Sequence, residues 1–499
     1  MAGIDLKSLC IIGCWLVFGS NQNISAQPPA PLQKLQQSVR QIVEKSQPAI
    51  ATVLVSRSKA YTRYDQGPST AEPGKLGGFQ LPADFATKLE IEKRSLIKLD
   101  LSHPLNIPEN YGGGILLDDS GLVLTTYHVI EGATRLYVQF SETIGGSYAD
   151  IYAADKRADL AVLKLLHPPK NLQSIKLSSA TEFSKGDLII SLCSPVRPNF
   201  RQLGPDVTWG IISNLRKRTS GPVDEIKRNK PLAQYDTLIQ TDFRTNTTCS
   251  GGAIFDLNGK LIAISTAQPG EPVDFQPSYA IPLNRNTKRI VDVLLQGKEV
   301  EYGFLGVSIN VEDRRQQLRN GILVSDCLPN TPAYRAGIRG GEWITTIDRE
   351  PIRDHDDLFL NIGAALAGNV VTIETSTIRG TKRTVEVRLT KAGHREPFIA
   401  QNRPHPVFGM LIDYASILNI NSNLPEGVVL KEVVPDSPAA KKFQGLMEQQ
   451  QVVIIEVNGK SIKQPSDFYQ ACREQEKLEI TIISATNNWA ATRQTISLP

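Results

Sequence analysis

The sequence predicts a mainly β fold, in which an antiparallel barrel or sandwich region is followed by two small domains that repeat one another. Three observations carry this expectation. From residue 113 to about residue 283, short Val/Ile/Leu-rich segments alternate with Gly, Asp and Asn turns: GGILL, LVLTTYHV, TRLYVQF, DLAVLKL, DLIISLC, TWGIISNL, GGAIFDL, KLIAIST and SYAIPL. No comparable helical pattern interrupts them, which argues against a parallel α/β sheet. Beyond them, NTPAYRAG, WITTIDREPI and DHDDLFLNI return in weaker form as DSPAAKKF, VIIEVNGKSI and QPSDFYQAC. The offset drifts from 106 residues at Pro332 and Pro438 to 110 at Asp357 and Asp467, so the second copy carries a small insertion near residues 443–451.

A chain of 499 residues exceeds what one hydrophobic core fills and implies roughly three domains of about 150 residues. With 40% hydrophobic and 21% charged residues, neither disorder nor a membrane bundle describes the whole. The net charge is +4 and its Lys and Arg are scattered, which gives nucleic-acid binding no support. Residues 8–20 (SLCIIGCWLVFGS) form an apolar run too short to span a bilayer comfortably and read as an export signal. Lys7 gives it a weakly basic start, and Ile24-Ser25-Ala26 offers a cleavage site before Gln27. Ile11-Ile12-Gly13-Cys14 makes lipid anchoring at Cys14 the lesser alternative.

After the Pro-rich QPPAP arm, QQSVRQIVEKSQ has the pattern of an amphipathic helix ending before Pro48, and residues 49–55 (AIATVLV) that of a buried strand. Residues 56–110 are an insertion, either a tolerated surface excursion or a regulatory one. HREPFIAQNRPHPV, between the two repeats, is rich in Pro and polar residues as linkers are. Cys10 and Cys14 leave with the signal. The remaining Cys193, Cys249, Cys327 and Cys472 are too few for a disulfide scaffold and are expected to pack as small buried thiols.

Catalytic candidates lie in three strand-rich segments. Of six histidines, His103, His167 and His405 adjoin prolines and His355 and His394 sit in charged loop contexts, whereas His128 in LVLTTYHVIEGA is embedded in apolar sequence. Alone it would read as a core histidine; as a general base it needs partners. Asp159 in RADLAVLKL stands directly before an apolar strand, either as a strand-start cap or as a carboxylate for the imidazole. Ser250 in TNTTCSGGAIFD precedes two glycines, a simple turn or an unhindered backbone that lets a hydroxyl face a substrate carbonyl. The order His, Asp, Ser within one β-rich domain is that of the chymotrypsin arrangement.

On these segments the sequence resembles the HtrA/DegP family of trypsin-like serine proteases with two C-terminal PDZ domains. The blocks that carry the resemblance are GGGILLDDSGLVLTTYHVIEGA, ADLAVLKL, VTWGIISNL, QTDFRTNTTCSGGAIFDLNGKLIAIST and SYAIPLNRNTKRIVDVLLQGKEVEYGFLGV, spread over nearly all of the mature chain. It implies a chymotrypsin-like double six-stranded β-barrel, with His128 and Asp159 on the first barrel and Ser250 on the second, followed by two α+β PDZ domains. The corresponding spans are a signal at 1–26, a protease domain at 27–298, PDZ domains at 302–393 and 405–499, and a linker at 394–404. It further implies ATP-independent cleavage of unfolded proteins in the periplasm or cell envelope without metal or cofactor, and assembly as trimers or multiples of trimers.

The resemblance assigns the oxyanion hole to backbone around Thr248, Cys249 and Ser250. Where the family has Gly-Asn-Ser-Gly-Gly, this chain has Thr248-Cys249-Ser250-Gly251-Gly252. A β-branched residue in a glycine's conformation costs about 1 to 3 kcal/mol, which opens a second reading: a weak or inactive protease acting as a chaperone or peptide-binding scaffold. The resemblance also brings the Cys193 loop near Cys249, making a redox-sensitive disulfide the alternative to two thiols, and lets Thr245 line the S1 pocket. Tyr302-Gly303-Phe304-Leu305-Gly306 matches the PDZ loop that binds C-terminal carboxylates; Val407-Phe408-Gly409-Met410 matches it less fully.

Overall fold

The computed structural model describes residues 29–58, 100–103, 106, 108–141, 143–177, 182–194, 204–219, 231–235, 237–243, 249–266, 278–310, 320–393, 398–418, 426–448, 450–485 and 491–499. The export signal, most of the 56–110 insertion, Thr245 and Thr248 lie outside them.

Helix α1 (Ala30–Ser46) starts with Pro31 in its first turn and turns Val39, Ile42 and Val43 inward, at the spacing of one helical face. A short 3-10 turn at Gln47–Ala49 leads into β1 (Ile50–Ser56). The first barrel continues with β2 (Asn110–Leu116), β3 (Leu122–Thr125), β4 (Arg135–Gln139), β5 (Gly146–Asp155) and β6 (Leu160–Leu165). Its strand order is β5-β4-β1-β2-β3-β6, and pairing of β5 with β6 closes it. A second closed barrel, in the order β10-β11-β12-β9-β8-β7, is built from β7 (Leu188–Cys193), β8 (Asp206–Lys217), β9 (Leu238–Thr241), β10 (Ala253–Asp256), β11 (Leu261–Thr266) and β12 (Ser278–Pro282).

The two barrels share a core, and this explains their sequence pattern. On β6, Leu160 and Val162 point into the cluster shared with the second barrel, which includes Ile190, Phe255 and Ile264; Ala161, Leu163 and Leu165 fill the first barrel. With both faces buried over most of its length, the strand loses the regular polar alternation that a half-exposed strand would show and keeps a single polar residue, Lys164. Helix α3 (Arg285–Leu294) covers this core with Ile290, Val291 and Leu294, its first turn capped by Asn284, whose side chain accepts from Thr287 N at 3.0 Å.

Three details depart from the sequence expectation. LVLTTYHV is not one strand: β3 stops at Thr125, and a single helical turn, α2 (Tyr127–Ile130), carries the histidine. Strands β5 and β9 were not anticipated, the first because GSYADIYAAD is rich in Ala and Asp, which disfavour strands, the second because it is only four residues long.

The repeat copies fold alike. The first pairs Val307–Ile309, Ile322–Cys327, Trp343–Ile347, Val370–Ser376 and Lys382–Arg388 in that order, with α4 (Pro332–Arg335) and α5 (His355–Ala364). The second pairs Met410–Tyr414, Val428–Val433, Gln451–Val457, Leu478–Ala485 and Ala491–Leu498, with α6 (Ala440–Met447) and α7 (Pro465–Cys472). The small insertion foreseen in the second copy falls where α6 is eight residues long and α4 four. The linker is not free: its strand Ile399–Ala400 pairs with β5, Ile399 opposite Ala154. Among the described residues no helix is long and apolar enough to cross a membrane.

Candidate active site

The turn between β5 and β6 presents Asp159 in a left-handed conformation, with φ of 56°. Aspartate tolerates that region better than most residues, because its short polar side chain bonds locally. Both carboxylate oxygens face α2: Oδ1 accepts from the backbone N–H of His128 at 2.9 Å, and Oδ2 lies 2.7 Å from His128 Nδ1. An ionised carboxylate only accepts, so this contact places the ring proton on Nδ1 and leaves Nε2 of the neutral imidazole as an acceptor. A third group crosses from the second barrel: Thr266, the last residue of β11, donates its hydroxyl to Asp159 Oδ2 at 3.3 Å.

Ser250 sits in the turn ahead of β10 and is 1% exposed. Its carbonyl accepts from Gly113 N of the first barrel at 2.6 Å, while Gly251 N donates to Ser265 O at 2.8 Å. Gly251 needs to be glycine twice over: its φ is 86°, and a Cβ there would lie 2.2 Å from Gly113 O. Gly112 marks how closely the two halves meet, because a Cβ on it would be 2.6 Å from Val129 of α2 and 2.7 Å from Ser250 O. The histidine's helix and the serine's turn thus flank one glycine across the barrel seam.

Cys193 and Cys249 form a disulfide. This corrects the expectation of buried thiols at these two positions in favour of the disulfide alternative; among the described residues, Cys327 and Cys472 are free and buried. Barrel closure brings the end of β7 against the turn that carries Ser250, which no local sequence signal reports. Thr266 and the Gly112-Gly113 pair were likewise not singled out as site residues, although a run of glycines inside a strand, here in β2, is a sign of close backbone approach.

A cleft of about 680 Å³ runs from this site to the first C-terminal unit. His128, Asp159, Thr266 and Leu215 border one end; Leu360, Asn361 and Ala364 of α5 border the other. The Tyr302-Gly306 loop lies at the start of that unit, where Gly303–Phe304 pairs with Thr390–Lys391. Tyr302 is turned into the protease: its hydroxyl donates to Asp155, and the Arg157 guanidinium stacks 4.2 Å from its ring centre. Burial pushes the Asp155 carboxyl up from its ordinary value against the opposing pull of Tyr302 and Arg157. Burial, followed by the Asp155 charge, drives the Tyr302 hydroxyl well above the usual phenol range. In the second unit, Phe408 and Gly409 both have positive φ, 53° and 87°, and Val407 bridges to Met410.

The trypsin-like peptidase domain family matches residues 112–264, and the PDZ domain family matches residues 294–375. The periplasmic serine endoprotease DegP of Escherichia coli strain K12 is 31% identical over 369 residues, covering 70% of this chain and 69% of that protein. The chain belongs to the DegP family of serine endoproteases. A probable DegP-like endoprotease of Bartonella henselae is 29% identical over 466 residues, covering 89% of this DegP-family chain and 86% of its own length. Among solved structures, the HtrA-type protease AlgW with a tripeptide is 23% identical, covers 72% of this chain and 98% of its own, and superposes with a TM-score of 0.48.

Proposed function

We propose that this serine endopeptidase cleaves unfolded or damaged proteins without ATP, after export to the periplasm or cell envelope, using Ser250 as nucleophile, His128 as general base and Asp159 as the group that orients it. The observation that carries the reading is the double hold of Asp159 on His128, which fixes the ring and leaves Nε2 available. Ser250 Oγ attacks the scissile carbonyl while His128 Nε2 takes its proton, and the imidazolium is stabilised by Asp159. His128 then gives the proton to the leaving amine, and water repeats the sequence on the acyl-enzyme. Backbone around Thr248, Cys249 and Ser250 would bind the oxyanion, and Thr245 would line the S1 pocket.

In the same reading the protease domain spans 27–298 and the PDZ domains span 302–393 and 405–499. The Tyr302 to Gly306 backbone takes C-terminal carboxylates, and the chain assembles as a trimer or a multiple of trimers. The test is unfolded-casein cleavage by the parent and by Ser250→Ala. Loss of the nucleophile is expected to lower kcat by about 10⁴-fold or more. A parent no faster than the variant, even with C-terminal peptides present, defeats the reading.

A further inference from the structure

The turn that presents Ser250 is held by hydrogen bonds on both sides of the serine: Gly251 N donates to Ser265 O at 2.8 Å, and the Cys249 carbonyl accepts from Gly252 N at 2.9 Å and from the Ser265 hydroxyl. Upstream, the Cys249 side chain is tied covalently to Cys193. Cys193 is the last residue of β7 and belongs to the wall of the second barrel, paired with Asp206 of β8 while its neighbour Leu192 pairs with Ala253 of β10. The bond therefore moors the residue immediately ahead of the nucleophile to a closed barrel, across 56 positions of sequence.

We propose that the Cys193–Cys249 disulfide is a positioning device for Ser250, so that peptide-bond hydrolysis belongs to the oxidised chain and falls when a dithiol reduces the bond. This rests on Ser250 being the nucleophile. Two thiol sulfurs cannot remain at bonding distance; non-bonded atoms settle about 3.5 to 4.0 Å apart. Both cysteines are buried, at 6% and 7% exposure, and Cys193 is fixed in the barrel wall, so the separation is taken up by the turn at Cys249. A misplacement of about 1 Å at a reacting group costs on the order of a hundredfold in rate.

The chemistry balances with a dithiol as reductant. One of its thiolates attacks a protein sulfur, giving a mixed disulfide and one protein thiolate. Its second thiolate then closes on the first, releasing the other protein thiol. Two electrons and two protons pass to Cys193 and Cys249, and the dithiol leaves as a disulfide.

The experiment measures kcat and KM for peptide cleavage by the full chain before dithiothreitol, after it, and after re-oxidation with oxidised glutathione. Circular dichroism follows each step on the folded chain, and thiols are counted after unfolding in denaturant, where burial no longer shields them. Expected are a fall in kcat of about 10- to 100-fold with KM within about twofold, an unchanged folded spectrum, and recovery on re-oxidation. The double variant Cys193→Ser/Cys249→Ser is expected to show the low kcat and to ignore dithiothreitol. An unchanged or higher kcat, with two additional thiols counted, overturns the proposal. Loss of the folded spectrum together with activity also overturns it, because the bond would then serve the fold rather than the nucleophile. An oxidised parent no faster than Ser250→Ala would instead sink the assignment of Ser250, and this proposal with it.

Discussion

In the first C-terminal unit, Asp357 on α5 accepts the backbone N–H of Arg353 at 3.0 Å; in the second, Asp467 on α7 accepts that of Lys463 at 3.1 Å. The loops at Gly306 and Gly409 repeat as closely. Gly306 and Gly409 have φ of 86° and 87°, and their carbonyls accept from Leu328 N at 2.9 Å and Val434 N at 2.8 Å. The outward contacts then diverge. Asp357 also receives Arg216 Nη1 of β8 at 2.6 Å, Asp354 receives its Nη2 at 3.1 Å, and Asp356 pairs with Arg218 at 3.4 Å. Asp467 instead completes a capping box with Gln464. One helix start thus serves two ends: the first unit is docked on the protease, and the second is not docked through this helix.

The second unit is held at a different point, around a buried lysine. Lys391, 2% exposed, reaches Glu299 at 2.7 Å, Asp413 at 3.0 Å and Glu301 at 3.3 Å; Asp413 also takes Lys431 at 3.1 Å. Burial alone would pull the Lys391 ammonium down, but Asp413, Glu299 and Glu301 outweigh it and hold its pKa above the ordinary lysine value. Burial raises the Glu301 carboxyl, and Asp413 and Glu299 add repulsion that Lys391 offsets only in part. Because the folded pKa of Lys391 is raised, its stabilisation is complete below about pH 10.5 and is lost only as pH climbs through the folded value.

The comparison is most exposed at this lysine. Lys391→Met leaves three carboxylates facing one another and is expected to cost about 3 to 5 kcal/mol in denaturant unfolding; a cost below about 1 kcal/mol would mean that the second unit is not held here. Next come Gly306→Ala and Gly409→Ala. A Cβ would lie 2.2 Å from Thr331 Cβ in one and 2.1 Å from Ser437 Cβ in the other, at positive φ in both. Each should cost about 2 to 4 kcal/mol, and a difference between them above about 2 kcal/mol would break the local equivalence of the two loops.

A smaller contrast separates the two aspartates. Asp467→Ala loses a helix-start bond worth about 1 kcal/mol. Asp357→Ala also loses a charged hydrogen bond to a partly exposed arginine, for about 2 kcal/mol in all. Equal losses would show that docking by Arg216 contributes nothing. The smallest effect concerns the free thiols, which burial pushes up to about 11 at Cys327 and to about 12 at Cys472. Both stay neutral in the folded units, so their contribution is full below pH 9 and shrinks as pH rises toward those values. Ellman's reagent at pH 8 should leave the folded chain unmodified at both positions; fast reaction at either one would contradict its burial.

Much of the fold was legible because it depends on neighbours in sequence. The runs DLAVLKL and KLIAIST are mostly apolar with no strict alternation of polar positions, and each became a strand buried on both faces over most of its length. The same apolarity hid the end of β3: where both faces are buried, periodicity cannot separate a strand from a helical turn, and LVLTTYHV was read through to Val129. At the site, His128 and Asp159 could be paired on residue type and order alone. Thr266 could not, because its bond to Asp159 spans 107 positions and is made by the packing of one barrel on the other.

The sequence by itself determined where strands, turns and repeats fall and which side chains have the chemistry of a nucleophile, a base and an acid, since these follow from residue type and short-range pattern. Only the tertiary structure decided that Cys193 meets Cys249, that Tyr302 faces Asp155, and that the linker strand Ile399–Ala400 lies on β5. Such contacts depend on barrel closure and strand register, which are set by the packing of the whole chain and leave no mark on the residues beside them.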